Sequence, residues 1–372
     1  MEVFFRTHKY LVEHIESPVN RLLMNEIDWS HRLIGIKGSR GVGKTTFLLQ
    51  YAKDFFGADN RQCLYISFNN FYFTQHTLVE FAAEFYAIGG RTLLLDQTFK
   101  YENWSRELRQ CYDRFPELHI VFSGSTVMRL IEGNEELKDI VAAYNLRGFS
   151  FREFIYLKTA KSFQHYTLKQ IIENHRVIAN KICEEINPLD YFADYLHHGF
   201  YPFFLEKRNF SENLLKTMNM MLEVDILLIK QIDLKYLPKI RKLLYILMLE
   251  TPCTPNISRL SNEIQVSRAT IMNYIKYLQD ARLLNLLYAE GDVFPKKPRL
   301  IYLQNSNLIF VAERNKIDNK IINKTFLYNA LHARHKVNIG QHDCDFRIDR
   351  NYQIKAGKKS KNPKTICAVD NL

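Results

Sequence analysis

A glycine-rich segment that directly follows a short apolar run is the feature that most constrains the fold of this 372-residue chain. The run RLIGIK, at residues 32–37, has the length and composition of a buried strand, and the residues after it read GSRGVGKT. These eight residues match the pattern G-x-x-x-x-G-K-[ST], in which a strand, a tight loop and a helix follow one another. The pattern predicts a strand, a phosphate-binding loop and a helix in this order.

Four more apolar runs follow at intervals typical of alternating strands and helices. They are CLYISF (63–68), TLLL (92–95), HIVF (119–122) and AYNL (143–146). Segments with helical spacing lie between them, at Thr46–Phe55, Thr77–Tyr86 and Asn103–Arg114. Because this alternation is typical of a parallel sheet covered on both faces, the sequence predicts an α/β domain of the P-loop NTPase class at residues 1–155.

The rest of the chain has a different pattern. Residues 156–235 are predicted to be helical, and a helix is expected at Leu214–Ile232. Residues 236–304 read as a helix at Leu237–Leu249, two short helices joined by a tight turn and a strand pair, which is the outline of a winged helix-turn-helix. Residues 305–372 predict a small α/β domain with a helix near 325–332 and strands near 346–348 and 352–354.

Composition and charge exclude several classes of protein. Hydrophobic residues make up 47% and charged residues 24%, which are globular values. Apolar stretches such as 243–249 are far shorter than the roughly 18 residues of a membrane span, and six scattered cysteines are typical of a reduced, cytoplasmic protein. From residue 296 onward the chain has 16 Lys and Arg but 6 Asp and Glu, which indicates either a nucleic-acid surface or a solvated basic face.

The loop pattern assigns ATP and Mg²⁺ as ligands. Lys44 is predicted to reach the β and γ phosphates, and Thr45 to ligate Mg²⁺. Asp96 ends the run LLL, the position from which a carboxylate holds the water shell of Mg²⁺. The predicted phosphate-binding residues are Gly38, Ser39, Arg40, Gly41, Val42, Gly43, Lys44, Thr45 and Thr46.

Three further features each have two interpretations. The hydroxyl of Ser123 is placed near the γ-phosphate by its position after a strand, or it belongs to a plain turn. Arg268, Asn273 and Lys276 are predicted to face outward from a helix, where they contact DNA or RNA or pack within the protein. The aromatic run FYF at 71–73, with Phe68, is predicted to be core rather than a base-stacking surface.

Several segments in order resemble a family of bacterial AAA-type ATPases. They are the phosphate loop, LLLDQTFKYENW (93–104), VFSGS (121–125), GFSFREF (148–154), YLHHGFYPFF (195–204), SRATIMNYIKYLQDARLL (267–284) and PKKPRLIYLQNSNLIF (295–310). The resemblance runs through nearly the whole chain. It implies a P-loop domain, a helical lid at 156–235, a winged-helix domain at 236–304 and a C-terminal domain related to restriction-endonuclease folds.

Two departures from the family concern hydrolysis. The residue after the Mg²⁺ aspartate is a water-activating glutamate in the family, and here it is Gln97. An amide orients water but does not take its proton. The resemblance also implies a pair of arginines after the Ser-Gly-Ser strand, where this chain has LKDIVA at 137–142. We therefore expect ATP binding with slow or absent hydrolysis, in which Lys44, Gln97 and Ser123 are the catalytic positions and Glu102 is a possible substitute for the base.

The C-terminal segment also departs from the family at positions that carry catalytic chemistry. Asp345 occupies the position of a family aspartate, but Lys324 and Lys355 stand where its members have glutamates. Because cations replace metal ligands, the resemblance predicts a degenerate, truncated, basic domain at 305–372 that is not a nuclease. The alternative function is a nucleic-acid-binding module, formed by the winged helix and the basic tail, with a vestigial nucleotide site. AAA relatives often assemble, so an oligomer is possible.

Overall fold

The chain divides into two compact units, Met1–Gly148 and Phe149–Leu372. The computed structural model describes residues 1–128, 130–206, 209–228, 230–312, 318–357 and 365–368. No helix in these ranges is long and apolar enough to cross a membrane.

Within the described residues, the first unit forms a five-stranded sheet in which every pairing is parallel. The strands are β1 (Leu33–Gly38), β2 (Cys63–Ser67), β3 (Thr92–Asp96), β4 (His119–Ser125) and β5 (Ala142–Asn145). Their order is β2-β3-β4-β1-β5. All five predicted strands are present, and the predicted α/β fold with a parallel sheet is confirmed.

Helices cover this sheet and follow the predicted bounds to within two residues where a helix was predicted. They are α1 (Glu2–His14), α2 (Leu23–Glu26), α3 (Lys44–Phe55), α4 (Leu78–Ala87) and α5 (Trp104–Arg114), with 3₁₀ helices at Phe71–Thr74 and Thr98–Lys100. The helix α4 begins at a capping box between Thr77 and Glu80, which satisfies N–H groups that the first helical turn leaves unpaired. The sequence analysis did not predict α1 or α2.

The two faces of the sheet have separate cores because successive strand residues point to opposite sides. Leu93 and Leu95 of β3 lie in one cluster, with Phe81 of α4. Leu94, between them, lies in the other cluster with Phe47 of α3. All five of these side chains are at most 1% exposed. This explains why the strand runs read as continuously apolar: each buries both faces.

The aromatic run after β2 is divided between core and surface. Phe68 and Phe73 are buried in the core, as predicted, and their ring centroids are 4.7 Å apart. Tyr72 is half-buried and packs edge-on against Phe4 of α1. Phe71 differs from the prediction, because it is 86% exposed at the start of the 3₁₀ helix.

Helix α1 covers the edge strand β2 through a buried histidine. His8 is fully buried, and its Nδ1 accepts a hydrogen bond of 2.9 Å from the backbone N–H of Tyr65. Its Nε2 has no hydrogen-bond partner among the described residues. Burial lowers the pKa of His8 to about 4, because the charged ring is poorly solvated there. The neutral ring with an unprotonated Nδ1 is therefore the form that holds α1 to the sheet.

This burial predicts a pH-dependent stability. Between pH 6.5 and about 4 the unfolded chain protonates His8 while the folded chain does not, so we expect the free energy of unfolding to fall as the pH drops through this window. The expected loss is about 3 kcal/mol. Urea unfolding of the wild type and of His8→Gln between pH 4 and pH 7 measures this loss. The difference between their free energies of unfolding should shrink toward low pH.

The matched control is His14→Gln, an exposed histidine on the same helix. We expect it to keep the wild-type pH dependence. Parallel stability curves for wild type and His8→Gln would contradict the role of His8.

The first part of the second unit is helical within its described residues, in agreement with the prediction. Its α-helices are α6 (Phe151–Thr159), α7 (Leu168–Cys183), α8 (Leu189–Asp194), α9 (Phe210–Met220) and α10 (Leu237–Glu250). Two π-helices, Tyr195–Gly199 and Met221–Leu228, and 3₁₀ helices at Pro202–Glu206 and Leu234–Tyr236 lie between them. The single helix predicted at 214–232 is wrong in its form, because α9 ends at Met220 and continues as a π-helix.

The later part of this unit contains the predicted helix pair and strands. The helices are α11 (Ile257–Ile264), α12 (Arg268–Asp280), α13 (Asn307–Val311) and α14 (Asn319–Leu331). Strands β6 (Leu284–Leu287) and β7 (Leu300–Leu303) form an antiparallel pair. Strands β8 (Val337–Ile339), β9 (Phe346–Ile348), β10 (Tyr352–Ala356) and β11 (Thr365–Ala368) form a second sheet, in the order β11-β10-β9-β8. The strands β8 and β11 were not predicted.

Candidate nucleotide site

The glycine-rich loop lies between β1 and α3, as its sequence pattern predicts. Gly41 and Gly43 have φ angles of 77° and 89°, in the left-handed region that glycine adopts without a Cβ clash. Gly38 is required for another reason: a Cβ there would lie 2.6 Å from the carbonyl oxygen of Leu146. Since α3 begins at Lys44, the loop leads directly into the positive end of a helix dipole. This local geometry suits an anion such as a phosphate chain.

The ammonium group of Lys44 lies over the loop itself. Its Nζ donates hydrogen bonds of 2.8 Å to the carbonyl of Gly38 and 2.9 Å to that of Ser39. The Arg40 guanidinium lies 5.3 Å from the ring centroid of Phe99, in the 3₁₀ helix after β3. Two cationic side chains are therefore held beside the loop, where they add to the field of the helix dipole.

Asp96 is the centre of a buried hydrogen-bond network at the end of β3. It is 1% exposed. Its Oδ2 accepts hydrogen bonds from Thr45 Oγ1 at 2.7 Å and from the Tyr65 hydroxyl at 2.9 Å. Its Oδ1 accepts from the backbone N–H of Gln97 at 3.0 Å and from the Ser123 hydroxyl. Two donors at each oxygen compensate the carboxylate for its lost hydration.

The sequence analysis missed Tyr65, which is buried on β2. Burial, together with the neighbouring Asp96 carboxylate, raises the pKa of the Tyr65 hydroxyl far above its usual range. The phenol therefore keeps its proton and remains a donor. Only the apolar run CLYISF marked this residue in the sequence, and a strand position gives no sign of a hydroxyl contact 31 residues away.

Ser123 connects β4 to the turn that follows Asp96. Its side chain is fully buried, and its Oγ accepts a hydrogen bond of 3.1 Å from the Gln97 N–H. Its carbonyl accepts a hydrogen bond of 2.6 Å from Thr98 Oγ1. The hydroxyl thus lies at Asp96, and its contacts fix the shape of the turn at 96–98.

Gln97 turns the chain out of β3. Its φ of 58° is in the left-handed region, which is strained for a residue other than glycine and is often found at functional sites. The half-buried side chain makes no hydrogen bond with any described residue. Its backbone is fixed by Asp96 and Ser123, so its amide is available to a ligand.

The other residues considered for hydrolysis lie on the surface. Glu102 is exposed between the 3₁₀ helix Thr98–Lys100 and α5, and it has no partner within the described ranges. In the stretch 137–142, Lys138 pairs with Glu135, and Asp139 pairs with Arg109 of α5 at 3.0 Å. This stretch therefore contributes surface ion pairs, whose attraction is strongly screened by solvent.

Arg21 is a second residue of the site that the sequence analysis missed. Its guanidinium donates a hydrogen bond of 2.8 Å to the carbonyl of Val42 in the loop and one of 2.5 Å to the carbonyl of Arg147. It therefore ties the loop to the chain that follows β5. No motif surrounds Arg21 in the sequence, and its role depends on a contact 126 residues away.

In the winged-helix region, Arg268 and Asn273 are exposed on α12. Lys276 is half-buried, and its ammonium pairs with Asp280 at 2.8 Å. Asp280 also pairs with Lys230 at 3.2 Å. Two of the three side chains predicted to face outward are thus exposed. The third, Lys276, forms an ion pair with a residue one turn further along the helix.

The C-terminal region carries two ion pairs at the residues singled out in the sequence. Lys324 of α14 lies 2.6 Å from Asp345 Oδ1, and Lys355 of β10 lies 2.9 Å from Asp343. Asp345 Oδ2 also accepts the Ala356 N–H at 2.8 Å. Asp343 and Asp345 are therefore each paired with a lysine ammonium group. The tail lysines 358, 359, 361 and 364 lie outside the described residues.

Two sequence landmarks of the second unit meet at one side chain. Asn307, in QNSN, donates its Nδ2 to the carbonyls of Tyr195 and Leu196 at 3.2 and 2.9 Å. Its Oδ1 accepts the Phe200 N–H at 3.0 Å. The residues 195–199 form a π-helix, which needs such partners because its hydrogen bonds are irregular. The segments YLHHGFYPFF and QNSN thus have a structural reason to occur together.

Comparisons with known proteins locate two domains. The model of an AAA domain matches residues 30–155, and that of a domain of unknown function matches residues 189–299. An uncharacterized protein of Methanocaldococcus jannaschii is 26% identical over 298 residues, which are 76% of this chain and 61% of the relative. The chain thus spans about three fifths of the length of the curated relative that it matches.

Solved structures align only loosely. The Caenorhabditis elegans PCH-2 structure aligns with a TM-score of 0.28 and 15% identity, over 75% of this chain and 66% of that one. The Aeropyrum pernix Orc1 protein in complex with DNA aligns with a TM-score of 0.32 and 12% identity, over 90% and 93% of the two chains. At these scores, no conclusion about this chain rests on them. The loop, the strand order and the matched family model together show that residues 30–155 of this chain form a P-loop NTPase domain of the AAA type.

Proposed function

We propose that this chain binds ATP with Mg²⁺ at the loop between β1 and α3, and that it hydrolyses ATP slowly or not at all. One observation carries the proposal: Thr45 Oγ1 lies 2.7 Å from Asp96 Oδ2, beside a loop that suits a phosphate chain. This is the pairing through which P-loop NTPases hold Mg²⁺, with the hydroxyl as a ligand and the carboxylate next to it.

The donor set fits Mg²⁺. A hydroxyl and a carboxylate are hard oxygen donors, which Mg²⁺ prefers over nitrogen or sulfur. Because the Thr45 hydroxyl donates its proton to Asp96, its oxygen lone pairs are left for a metal ion. Asp96 would act through water in the metal's shell. When bound, Mg²⁺ neutralises charge on the phosphates.

The loop residues would hold the phosphates themselves. We assign this role to the backbone of residues 38–46, with Lys44 at the β and γ phosphates. Lys44 would exchange its bonds to the carbonyls of Gly38 and Ser39 for charged phosphate oxygens, and bonds to ionised groups are stronger. Arg40 adds positive charge beside the loop.

Slow hydrolysis follows from the side chains around this loop. Gln97 would orient a water molecule but would not take its proton, and general-base assistance is typically worth about 10²- to 10⁴-fold in rate. The stretch 137–142 has no arginine to stabilise the transition state. Ser123 would act on the turn of Gln97 and on Asp96, since its hydroxyl is bonded to both. Glu102, exposed on the next turn, is the remaining carboxylate considered as a base.

We further propose a division of labour along the chain. Residues 1–155 bind the nucleotide, residues 156–235 form a helical lid, residues 236–304 form a winged helix-turn-helix, and residues 305–372 form a basic, degenerate nuclease-like domain. The second and third of these would respond to nucleotide occupancy. Oligomers are compatible with this organisation.

A second candidate function is a nucleic-acid-binding module whose nucleotide site is vestigial. It is supported by Arg268 and Asn273, which are exposed at the start and middle of α12, and by the exposed Lys297 and Arg299 between β6 and β7. Binding of DNA or RNA that falls steeply with added salt and ignores ATP would favour this candidate.

The proposed function is tested by titrating the purified chain with a fluorescent ATP analogue, with and without Mg²⁺. We expect saturable binding that strengthens with Mg²⁺. Phosphate release with ATP on the same sample should be slow or undetectable. Absence of binding would overturn the proposal and favour the nucleic-acid module. Rapid release would overturn the assignment of Gln97 as a deficient base.

A further inference from the structure

The hydroxyl of Tyr65 reaches the carboxylate that the nucleotide site depends on. It lies 2.9 Å from Asp96 Oδ2, the same oxygen that Thr45 contacts at 2.7 Å. We propose that Tyr65 is a positioning residue that holds Asp96 in the orientation Mg²⁺ requires. This inference rests on the function proposed above and adds a residue that the loop pattern does not contain.

The two oxygens of Asp96 are held by different parts of the fold. Oδ1 is held by the Gln97 N–H and by Ser123 of β4. Oδ2 is held by Thr45 of α3 and by Tyr65 of β2. Thr45 is itself the proposed metal ligand, so its hydrogen bond to Oδ2 would change if its hydroxyl shifted to bind the metal ion. Tyr65 is therefore the donor that fixes Oδ2 independently of Thr45.

Tyr65 can hold the Asp96 carboxylate in one orientation because three sets of contacts fix its own position. Its backbone N–H donates to His8 of α1, and its strand partner on β3 is Leu94. Its ring is 6% exposed and belongs to the same core cluster as Phe47 of α3. Because the ring is held rigidly, the position of its hydroxyl group is fixed as well.

The simpler explanation is that Tyr65 is only a core residue whose hydroxyl needs some partner. Tyr65→Phe separates the two explanations, because it keeps the ring in the core and deletes only the hydroxyl. A packing role leaves the metal dependence of nucleotide binding unchanged. A positioning role changes that dependence in particular, since partners of groups around a metal typically affect its affinity about 10- to 100-fold.

The experiment measures binding of the fluorescent ATP analogue as a function of Mg²⁺ concentration. In Tyr65→Phe we expect the half-saturating Mg²⁺ concentration to rise about tenfold. With EDTA in place of Mg²⁺, the affinity for the nucleotide should match that of the wild type. An unchanged Mg²⁺ requirement would overturn the inference. An equal loss with and without Mg²⁺ would also overturn it, because it would indicate damage to the loop instead.

Tyr51→Phe is the matched control. Tyr51 belongs to the same core cluster and is 8% exposed, but its hydroxyl makes no hydrogen bond with any residue in the described part of the chain. Its ring stacks on Trp29 at 3.9 Å between centroids. This variant should keep the wild-type Mg²⁺ requirement, which would show that loss of a tyrosine hydroxyl from this core cluster does not by itself raise it.

A double variant tests whether Tyr65 acts through Asp96. Asp96→Asn alone should raise the Mg²⁺ requirement, and adding Tyr65→Phe should raise it no further. Additive effects would contradict the inference. The wild type separates this test from the proposed function: if it shows no Mg²⁺-dependent nucleotide binding, both fail. If it does and Tyr65→Phe behaves like Tyr51→Phe, only the inference fails.

Discussion

Lys44→Ala should abolish detectable binding of the fluorescent ATP analogue, with at least about a 100-fold loss of affinity. The ammonium group lies over the loop, within 2.9 Å of two of its carbonyls, where it would meet the phosphate charge. A hydrogen bond to a charged group contributes about 1.5 to 3 kcal/mol, and this side chain would make more than one. Equilibrium titration with Mg²⁺ present measures the loss.

Lys53→Ala is the matched control for this prediction. Lys53 is exposed in the last turn of the same helix α3, where it donates to the carbonyl of Ile15 at 3.2 Å. The substitution removes the same charge from the same helix but at the end far from the loop. Its affinity should stay near that of the wild type. Unchanged affinity in Lys44→Ala would contradict ATP binding at this loop.

Gln97→Glu should raise the rate of phosphate release by about 10²-fold or more, because a carboxylate takes the proton of an attacking water and an amide does not. The substitution keeps the side-chain length. The backbone that carries it is held by Asp96 and Ser123. The amide makes no hydrogen bond with a described residue, so the substitution breaks none. Single-turnover phosphate release from saturated protein is the measurement.

Two further variants make this result specific. Gln75→Glu, which introduces the same charge at an exposed position after the 3₁₀ helix Phe71–Thr74, should leave the rate unchanged. Adding Lys44→Ala to Gln97→Glu should remove the gain. An unchanged rate in Gln97→Glu would show that the absence of arginine from 137–142, or another deficiency, limits hydrolysis.

The first unit was predictable because its signals are local. Each strand is an apolar run that ends at a turn, and each predicted helix has one apolar face, so short windows of sequence sufficed. The exceptions were α1 and the four-residue α2. In α1, the polar residues Arg6, His8 and Lys9 obscured a helix that covers an edge strand. The fully buried His8 among them was unexpected, since a histidine is rarely buried without a partner for each nitrogen.

The second unit was less predictable for a related reason. A helix that changes from α to π at Met221 keeps its apolar content, so periodicity did not mark the transition. The strands β8 and β11 are three and four residues long. Segments this short acquire their structure from the neighbouring strands that they pair with, and not from their own composition.

The sequence by itself determined the parallel α/β domain and its glycine-rich loop, and it singled out Lys44, Thr45 and Asp96 as candidate site residues, because these features lie in contiguous segments with fixed spacing. Only the tertiary structure decided what surrounds Asp96. Its partners Thr45, Tyr65 and Ser123 lie 51, 31 and 27 residues away. They meet because the parallel strands β1 to β4 end at one edge of the sheet, which brings the start of α3 and the last residues of β2 and β4 to the end of β3. That edge exists only in the folded chain.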